Sequence, residues 1–328
     1  MALLKQTLAG EVPSLTAIVS QGNFLKFLKL VSCVGSVSHS REDPIRVVAD
    51  DQGLHVRRVD PSHSSIIEVR LGTKAFQDYE LSKSDKSHII GLTPGVVADA
   101  ARYFLSDSVV IGDDESRDSE KFLFLEYFSE ANRMRLRDVV NPKGQTKLDL
   151  ELGVESKVWR TFGLGDPAEL KKVQELRKLK WSGAFYVGSR TQDSKDLLRA
   201  LKHIVSERSG LGTLLEIKYS RSSASQGEVV VSSKSNYESI ELCLAQESDK
   251  GLLTHEQVLD TKLDDPQNTV STLFATKYFV KPIDTIAKLA TNGMLFKVAQ
   301  DRPMAVSAEF APGSTVNFWL APRIAEGD

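Results

Sequence analysis

Three polar residues on one short segment, Asp60, Ser62 and His63, are of the types that build a catalytic relay. A relay requires each side chain to orient the next, and three near neighbours on a single segment cannot reach that geometry. A turn in which Asp60 and Ser62 bond to nearby backbone groups is the better interpretation. The trio therefore gives no support for nucleophilic catalysis.

The other motifs that would carry chemistry are equally weak. The acidic run Asp113, Asp114 and Glu115 lacks the ligand spacing of a calcium loop, which favours an exposed acidic turn over a metal site. The glycines at 163 and 165 lack the third glycine and the preceding strand of a dinucleotide site, and the sequence contains no Walker-type phosphate loop. We therefore expect no enzymatic activity, no catalytic residue, no metal ion and no cofactor.

The composition is typical of a soluble globular protein, with 41% hydrophobic residues, 26% charged residues and a net charge of −2. No apolar run is long enough to span a bilayer, and the first residues lack the apolar core of a secretory signal. The length of 328 residues suggests roughly two domains. Cys33 and Cys243 lie among apolar residues without metal-ligand spacing, so both are expected to be buried free thiols in a reducing compartment.

Four segments share one plan, a predicted helix followed by paired strands. The helices are predicted at 22–32, 94–105, 194–207 and 281–291, with Pro94 at a helix start and Ser194 as an N-cap. Alternation of apolar and polar residues predicts strands that include 66–71, 122–128, 227–233, 239–245 and 304–310. The order indicates an internal duplication of a β-rich α+β unit around a break at about 141–181.

A short amphipathic helix is predicted inside this break, over 166–181. Asp166-Pro167 is a good helix start, and apolar residues follow at every third position. These are Leu170, Val173, Leu176 and Leu179. Two interpretations stay open: a docking element for a partner, or a solvated linker helix that rests on a sheet.

Basic residues form one face of three predicted helices, opposite an apolar stripe. They are Lys26 and Lys29 in the first helix, Lys195, Arg199 and Lys202 in the third, and Lys281 and Lys288 in the fourth, with only Arg102 in the second. One such face is usually just solvated. Recurrence at equivalent places of a repeat favours sequence-independent contact with nucleic-acid phosphates.

Two predicted strands, 132–139 and 237–246, have polar faces of opposite character. The candidate interface residues are Arg133, Arg135 and Arg137 on the first strand and Ile240, Glu241 and Leu242 on the second. If both strands lie at sheet edges, head-to-tail pairing between copies of the chain can close into a ring. The alternative is that each polar face meets water.

Two motifs closely resemble sequences of the proliferating cell nuclear antigen (PCNA) family of DNA sliding clamps. They are NFWLAPRIAEGD at 317–328 and VVADDQGLHVRRVDPSHSSIIEVRL at 47–71. The resemblance implies an α+β DNA-clamp (processivity) fold with two similar domains, 1–140 and 182–328, joined by a connector at 141–181. The helix predicted at 166–181 is an extra element of that connector, without a counterpart in the usual clamp. The resemblance further implies outer β-sheets, inner helices on the DNA side, and a trimer closed into a six-domain ring.

The same resemblance implies a pocket for partner peptides that carry a glutamine, an aliphatic residue three positions on, and two aromatic residues. Its lining would be Val59, His63, Leu150, Leu152, Pro303, Trp319, Ala321, Pro322 and Ile324. Two departures from the family pattern, Ser64 after His63 and Trp319 where tyrosine is common, are expected to change peptide preference.

The function implied by the resemblance is that of a processivity factor that encircles duplex DNA and tethers enzymes to it. Expected partners are double-stranded DNA without sequence preference, a clamp loader, a DNA polymerase, a flap nuclease, a DNA ligase and further copies of the chain, but no membrane. The expected location is intracellular with the DNA, in the nucleus of a eukaryote or the cytoplasm and nucleoid of an archaeon. Two alternatives remain: a subunit of a heterotrimeric DNA-damage checkpoint clamp, and a β-rich enzyme with an unrecognised site.

Overall fold

A computed structural model of the chain describes residues 12–37, 45–59, 64–82, 87–92, 122–131, 133–138, 149–153, 171, 174–189, 192–205, 214–221, 227–234, 239–245 and 269–323. The elements of the first part are β1 (Leu15–Ser20), α1 (Gln21–Val37), β2 (Ile45–Asp50), β3 (Gly53–Val59), β4 (Ser65–Gly72), a 3-10 helix (Thr73–Ala75), β5 (Phe76–Leu81), β6 (Ser87–Leu92), β7 (Phe122–Phe128), β8 (Arg133–Asp138) and β9 (Asp149–Gly153). The later elements are β10 (Gly183–Gly188), α2 (Gln192–Val205), β11 (Leu214–Arg221), β12 (Gly227–Lys234), β13 (Ser239–Ala245), β14 (Thr269–Ala275), α3 (Thr276–Leu289), β15 (Gly293–Val298), β16 (Met304–Ala311) and β17 (Ser314–Leu320).

The chain divides into two compact units. The first comprises Met1–Arg58, Glu68–Asp166 and Ala311–Thr315. The second comprises Val59–Ile67, Pro167–Phe310 and Val316–Asp328.

The first unit is built on a five-stranded antiparallel sheet with the order β5-β1-β7-β8-β9. In the same unit β2 pairs with both β3 and β6. Helix α1 follows β1 directly and contacts it. Phe24, Phe27 and Leu28 of this helix are buried, as its predicted apolar stripe requires.

The second unit contains a four-stranded antiparallel sheet with the order β13-β12-β11-β14, together with the antiparallel strands β10-β15-β16. Helices α2 and α3 contact each other and bury their apolar stripes, which include Leu197, Leu201 and Ile283. Phe185 and Phe296 stack with ring centroids 4.6 Å apart across the pair β10 and β15. Burial of these apolar faces stabilises the unit by roughly 25 cal/mol per Å² of apolar surface removed from water.

Three of the four predicted helices lie in the described residues and are confirmed, although their starts differ. Helix α3 begins at Thr276 rather than at 281, because Pro282 lies inside the helix and does not mark its start. The N-cap prediction for Ser194 is wrong, since α2 begins at Gln192 and Ser194 is buried within its first turn. The predicted helix at 94–105, with Pro94 and Arg102, lies outside the described residues.

A stability prediction follows from Gly53, at the start of β3. Its φ is +118°, and a Cβ added there would lie 2.1 Å from the carbonyl oxygen of Leu71. Gly53→Ala is therefore expected to lower the free energy of unfolding by about 1–3 kcal/mol through backbone strain. Gly22→Ala is the matched control, because a Cβ on Gly22 in α1 meets nothing within 4 Å. Urea denaturation of both variants checks the difference, and equal midpoints would contradict it.

Candidate partner-binding cavity and nucleic-acid interface

An apolar cavity of about 320 Å³ opens in the second unit. It lies where the end of β3, the start of β4 and the residues after β17 meet. Its lining residues are Val59, Ser64, Ser65, Ile66, Glu175, Leu176, Leu179, Pro303, Trp319 and Ala321. A pocket of this size and apolar character is typical of small binding sites, which measure about 300–1,000 Å³.

Backbone hydrogen bonds fix the chain that follows β17. The N–H of Ala321 donates to the carbonyl oxygen of Ser64 at 2.7 Å, which holds the end of β17 beside the start of β4. Two residues later, the N–H of Arg323 donates to the carbonyl oxygen of Leu273 at 2.8 Å. Between these two anchors Pro322 has no N–H to satisfy. The rim of the cavity is thus held in place by the strands themselves.

The floor of the cavity is formed by Ile66 and Trp319, which belong to a buried apolar cluster that includes both described tryptophans. Ile66, Trp181 and Trp319 are each 6–7% exposed and belong to this cluster. Trp319 is buried because β17 buries consecutive residues at its end, from Phe318 to Leu320. An aromatic floor gives a ligand a large apolar contact area at low entropic cost.

The segment before β10 forms one wall of the cavity. Residues 174–177 are helical, and the N–H groups of Lys178 and Leu179 donate to the carbonyl oxygens of Glu175 and Leu176 at 3.0 and 3.3 Å. Leu176 and Leu179 are half-buried and pack against the tryptophan cluster. The predicted amphipathic helix is confirmed for 171 and 174–177 and is wrong for 178–181, where the chain leaves the helix through a turn at Lys178. Leu170 and Val173 lie outside the described residues.

The structure brings together four of the predicted pocket residues. One cavity is lined by Val59, Pro303, Trp319 and Ala321. Pro322, which follows Ala321 in the chain, is half-buried. His63 and Ile324 lie outside the described residues. The remaining two, Leu150 and Leu152, belong to β9 of the first unit, where they pair with Leu136 and Met134 of β8.

Sequence reasoning missed Ser64, Ser65, Ile66, Glu175, Leu176 and Leu179 as lining residues. The sequence carries a signal for the last two, because Leu176 and Leu179 belong to the apolar stripe of the predicted 166–181 helix. Ser64 departs from the family pattern by its polar side chain, but its backbone carbonyl is the group that accepts the hydrogen bond from the N–H of Ala321.

The basic residues of the helices are mostly exposed. Lys195, Arg199 and Lys202 of α2 are exposed, as are Lys281 and Lys288 of α3 and Lys29 of α1, whereas Lys26 is half-buried. Arg199 Nη1 lies 3.2 Å from Asp196 Oδ1, and Lys288 pairs with Asp284. Exposed pairs of this kind contribute about 0–1 kcal/mol, so the cations can exchange these partners for a phosphate.

The edge prediction is correct for one strand and wrong for the other. Among the described strands β13 lies at the edge of its sheet, with Glu241 exposed and Ile240 and Leu242 half-buried on the opposite face. β8 is not an edge, because β9 pairs with it along 133–137. The sequence pattern could not reveal this, since β9 carries only a short alternation and lies in the segment that the resemblance assigns to the connector.

Arg137 is also not available as an interface residue. Its Nη2 lies 2.6 Å from Glu126 Oε2, and the two side chains are 11% and 5% exposed. Its guanidinium lies over the Phe124 ring at 4.9 Å from the centroid. Arg133 and Arg135 are half-buried on the same strand.

The two cysteines are free, and only one of them is buried as expected. Cys33 is buried in α1, but Cys243 is exposed because it lies on the outer face of the edge strand β13. The Cys243 thiol lies 2.8 Å from Glu228 Oε1, and this hydrogen bond is the main cause that raises its pKa to about 11. The thiol is therefore protonated and unreactive at neutral pH.

The fold is similar to that of the crystal structure of the proliferating cellular nuclear antigen from Entamoeba histolytica. The match has a TM-score of 0.65 and 14% sequence identity, and it covers 95% of this chain and 100% of that chain. The chain has a PCNA-like clamp fold. The predicted α+β clamp architecture is confirmed by this match. No protein-family model and no curated protein matches the sequence, so the PCNA-like fold rests on the structure.

Two further findings describe the parts of the chain that the structure covers. None of the described helices is long and apolar enough to cross a bilayer. No group of three or more His, Cys, Asp or Glu side chains among the described residues is placed to hold a metal ion. The segments that carry Asp60, Ser62 and His63, the acidic run 113–115 and the glycines at 163 and 165 lie outside the described residues.

Proposed function

We propose that this protein is a DNA sliding clamp, a ring that encircles duplex DNA and tethers replication and repair enzymes to it. The PCNA-like clamp fold is the observation that carries the proposal. PCNA-like clamps are scaffolds rather than enzymes, so the proposed protein has no chemistry of its own. Its contribution is topological, because tethering raises the effective concentration of an enzyme at the template.

In this proposal residues 1–140 and 182–328 are the two clamp domains and 141–181 is the connector. The DNA side is the set of basic residues Lys26, Lys29, Arg102, Lys195, Arg199, Lys202, Lys281 and Lys288. Flexible point charges of this kind meet phosphates without reading base edges. The protein partners are a clamp loader, a DNA polymerase, a flap nuclease and a DNA ligase, which dock short peptides in the apolar cavity of the second unit.

The proposed ring is a trimer in which edge strands pair between copies. Strand β13 offers one open edge. The other contact uses β9, which lies at the edge of its sheet among the described strands. A subunit of a heterotrimeric DNA-damage checkpoint clamp is the second candidate, which the long segment at 141–181 between the two proposed domains favours. The native mass of the protein expressed alone separates the two: a trimer mass supports the homotrimer, and a stable monomer removes it.

Removal of the α2 cations is expected to weaken DNA binding. Lys195→Ala/Arg199→Ala/Lys202→Ala should reduce the slope of log affinity against log salt concentration by about 0.9 for each phosphate that the variant no longer neutralises. Fluorescence anisotropy of a labelled duplex, titrated at several salt concentrations, measures that slope.

The matched control is Lys74→Ala/Lys171→Ala/Lys218→Ala, which changes three exposed cations outside α1, α2 and α3. This variant should keep the wild-type salt slope, since net charge changes equally in both variants. Equal slopes for both triple variants would place the DNA side elsewhere.

A further inference from the structure

We propose that residues 174–181 form a selective wall of the cavity, which favours partner peptides that carry acidic residues beside their apolar anchors. This inference rests on the proposed docking function of the cavity, and it specifies the chemistry of the peptides that the cavity binds. Two independent features carry it: the packing of the wall against the cavity floor, and the charge around the rim.

The wall is anchored by apolar contacts. Leu176 and Leu179 pack against the buried cluster, and Trp181, which ends the segment, is itself a member of that cluster. The turn bonds of Lys178 and Leu179 hold the backbone between them. Since about 320 Å³ remains open with the wall in place, the segment shapes the cavity and does not fill it.

The exposed charges in the chain segments that supply the lining are predominantly basic, although the charged residue that itself lines the cavity, Glu175, is acidic. On the wall, Arg177, Lys178 and Lys180 are exposed. Two more exposed cations flank lining residues in the chain, because Arg302 directly precedes Pro303 and Arg323 follows shortly after Ala321. The described acidic residues in these segments are Glu175 and Asp301. This local excess contrasts with the net charge of −2 for the whole chain.

An apolar floor under a basic rim fits one class of ligand. Aliphatic or aromatic side chains of the peptide would supply most of the affinity by burial against Trp319 and Leu179. Carboxylates beside those anchors would meet the rim cations, which raises the association rate and disfavours peptides with basic flanks. A rim interaction remains in water, so its contribution falls as salt screens it.

The test uses two labelled peptides that share one apolar core, a glutamine followed by an aliphatic residue and two aromatic residues. One peptide has Asp and Glu on both flanks, and the other has Lys and Arg. Each is titrated against the full-length protein by fluorescence anisotropy at low and high salt. We expect the acidic peptide to bind at least about tenfold more tightly at low salt, which corresponds to about 1.4 kcal/mol, and the ratio to shrink at high salt.

Charge reversal on the wall provides the decisive variant. Lys178→Glu/Lys180→Glu should abolish or invert the preference between the two peptides. The control is Lys218→Glu, which reverses the charge of one exposed residue in β11 that does not line the cavity. This variant should keep the preference for the acidic peptide. Leu179→Ala should weaken the binding of both peptides and leave the ratio of their affinities unchanged, because it removes apolar contact surface from the wall without changing its charge.

The outcomes separate this inference from the proposal beneath it. Equal binding of both peptides to the wild type, or tighter binding of the basic one, overturns the charge selection while the docking function stands. A preference that survives Lys178→Glu/Lys180→Glu overturns the role of the wall. Absence of binding by either peptide overturns the docking function of the cavity and the inference with it.

Discussion

Replacing Arg137 with methionine is expected to lower the free energy of unfolding of the first unit by about 3–5 kcal/mol. The guanidinium lies 2.6 Å from the Glu126 carboxylate, and both groups are almost fully buried between β7 and β8. Methionine keeps much of the apolar contact with Phe124 but removes the charge. The carboxylate of Glu126 would then be buried without its partner, which is the costly state for an ion pair.

Two further variants test the physical reason. Glu126→Gln/Arg137→Met removes both charges and should recover a large part of the stability. Because Arg135 lies opposite Glu126 in the strand register, Arg135→Met/Arg137→Met removes a substitute partner. Urea denaturation followed by far-UV circular dichroism, with hydrogen exchange of the β7 and β8 amides, measures each effect. A change below about 1 kcal/mol in that last variant would show that the pair does not stabilise the unit.

The second large effect is expected in the cavity. Ala321→Glu places a longer charged side chain at the rim of an apolar site and leaves its backbone bond to Ser64 intact. Desolvation of the carboxylate against the tryptophan cluster is costly, so affinity for a peptide with apolar anchors should fall at least about 100-fold, or about 2.7 kcal/mol. Trp319 lines the cavity and Trp181 belongs to the same buried cluster, so intrinsic fluorescence also reports binding.

The control for this variant is Thr269→Glu, which adds the same charge at an exposed position of β14 outside the cavity. It should bind the peptide as the wild type does. Thermal denaturation confirms that both variants are folded. Wild-type affinity in Ala321→Glu would mean that partner peptides do not use this cavity.

Much of the fold could be predicted from the sequence because its elements carry strong periodic patterns. The apolar stripe of Phe24, Phe27 and Leu28 predicted α1, and the alternation at 122–128 predicted β7. The start of α3 could not be predicted in the same way. Tyr278, Phe279 and Val280 form a short apolar run, and periodicity alone does not distinguish such a run from a strand.

The position of β8 inside its sheet could not be predicted from local sequence patterns, for a different reason. Three alternating arginines look like an exposed edge, but one of them neutralises a buried glutamate, and the next strand in the chain, β9, pairs with the backbone of β8. Sheet order depends on pairings between residues that are far apart in sequence, which no local pattern encodes. The same holds for the cavity wall, where Leu176 and Leu179 meet residues of β4 and β17.

Retention on DNA that depends on topology is the most direct test of the central claim. The protein is incubated with linear duplex DNA at high concentration so that rings can thread over free ends, and bulky protein blocks are then attached to both ends. A sliding clamp should stay on the blocked DNA through a high-salt wash and leave when a restriction enzyme cuts the DNA between the blocks. Loss from blocked and unblocked DNA at the same rate, or retention that survives cutting, would contradict the account.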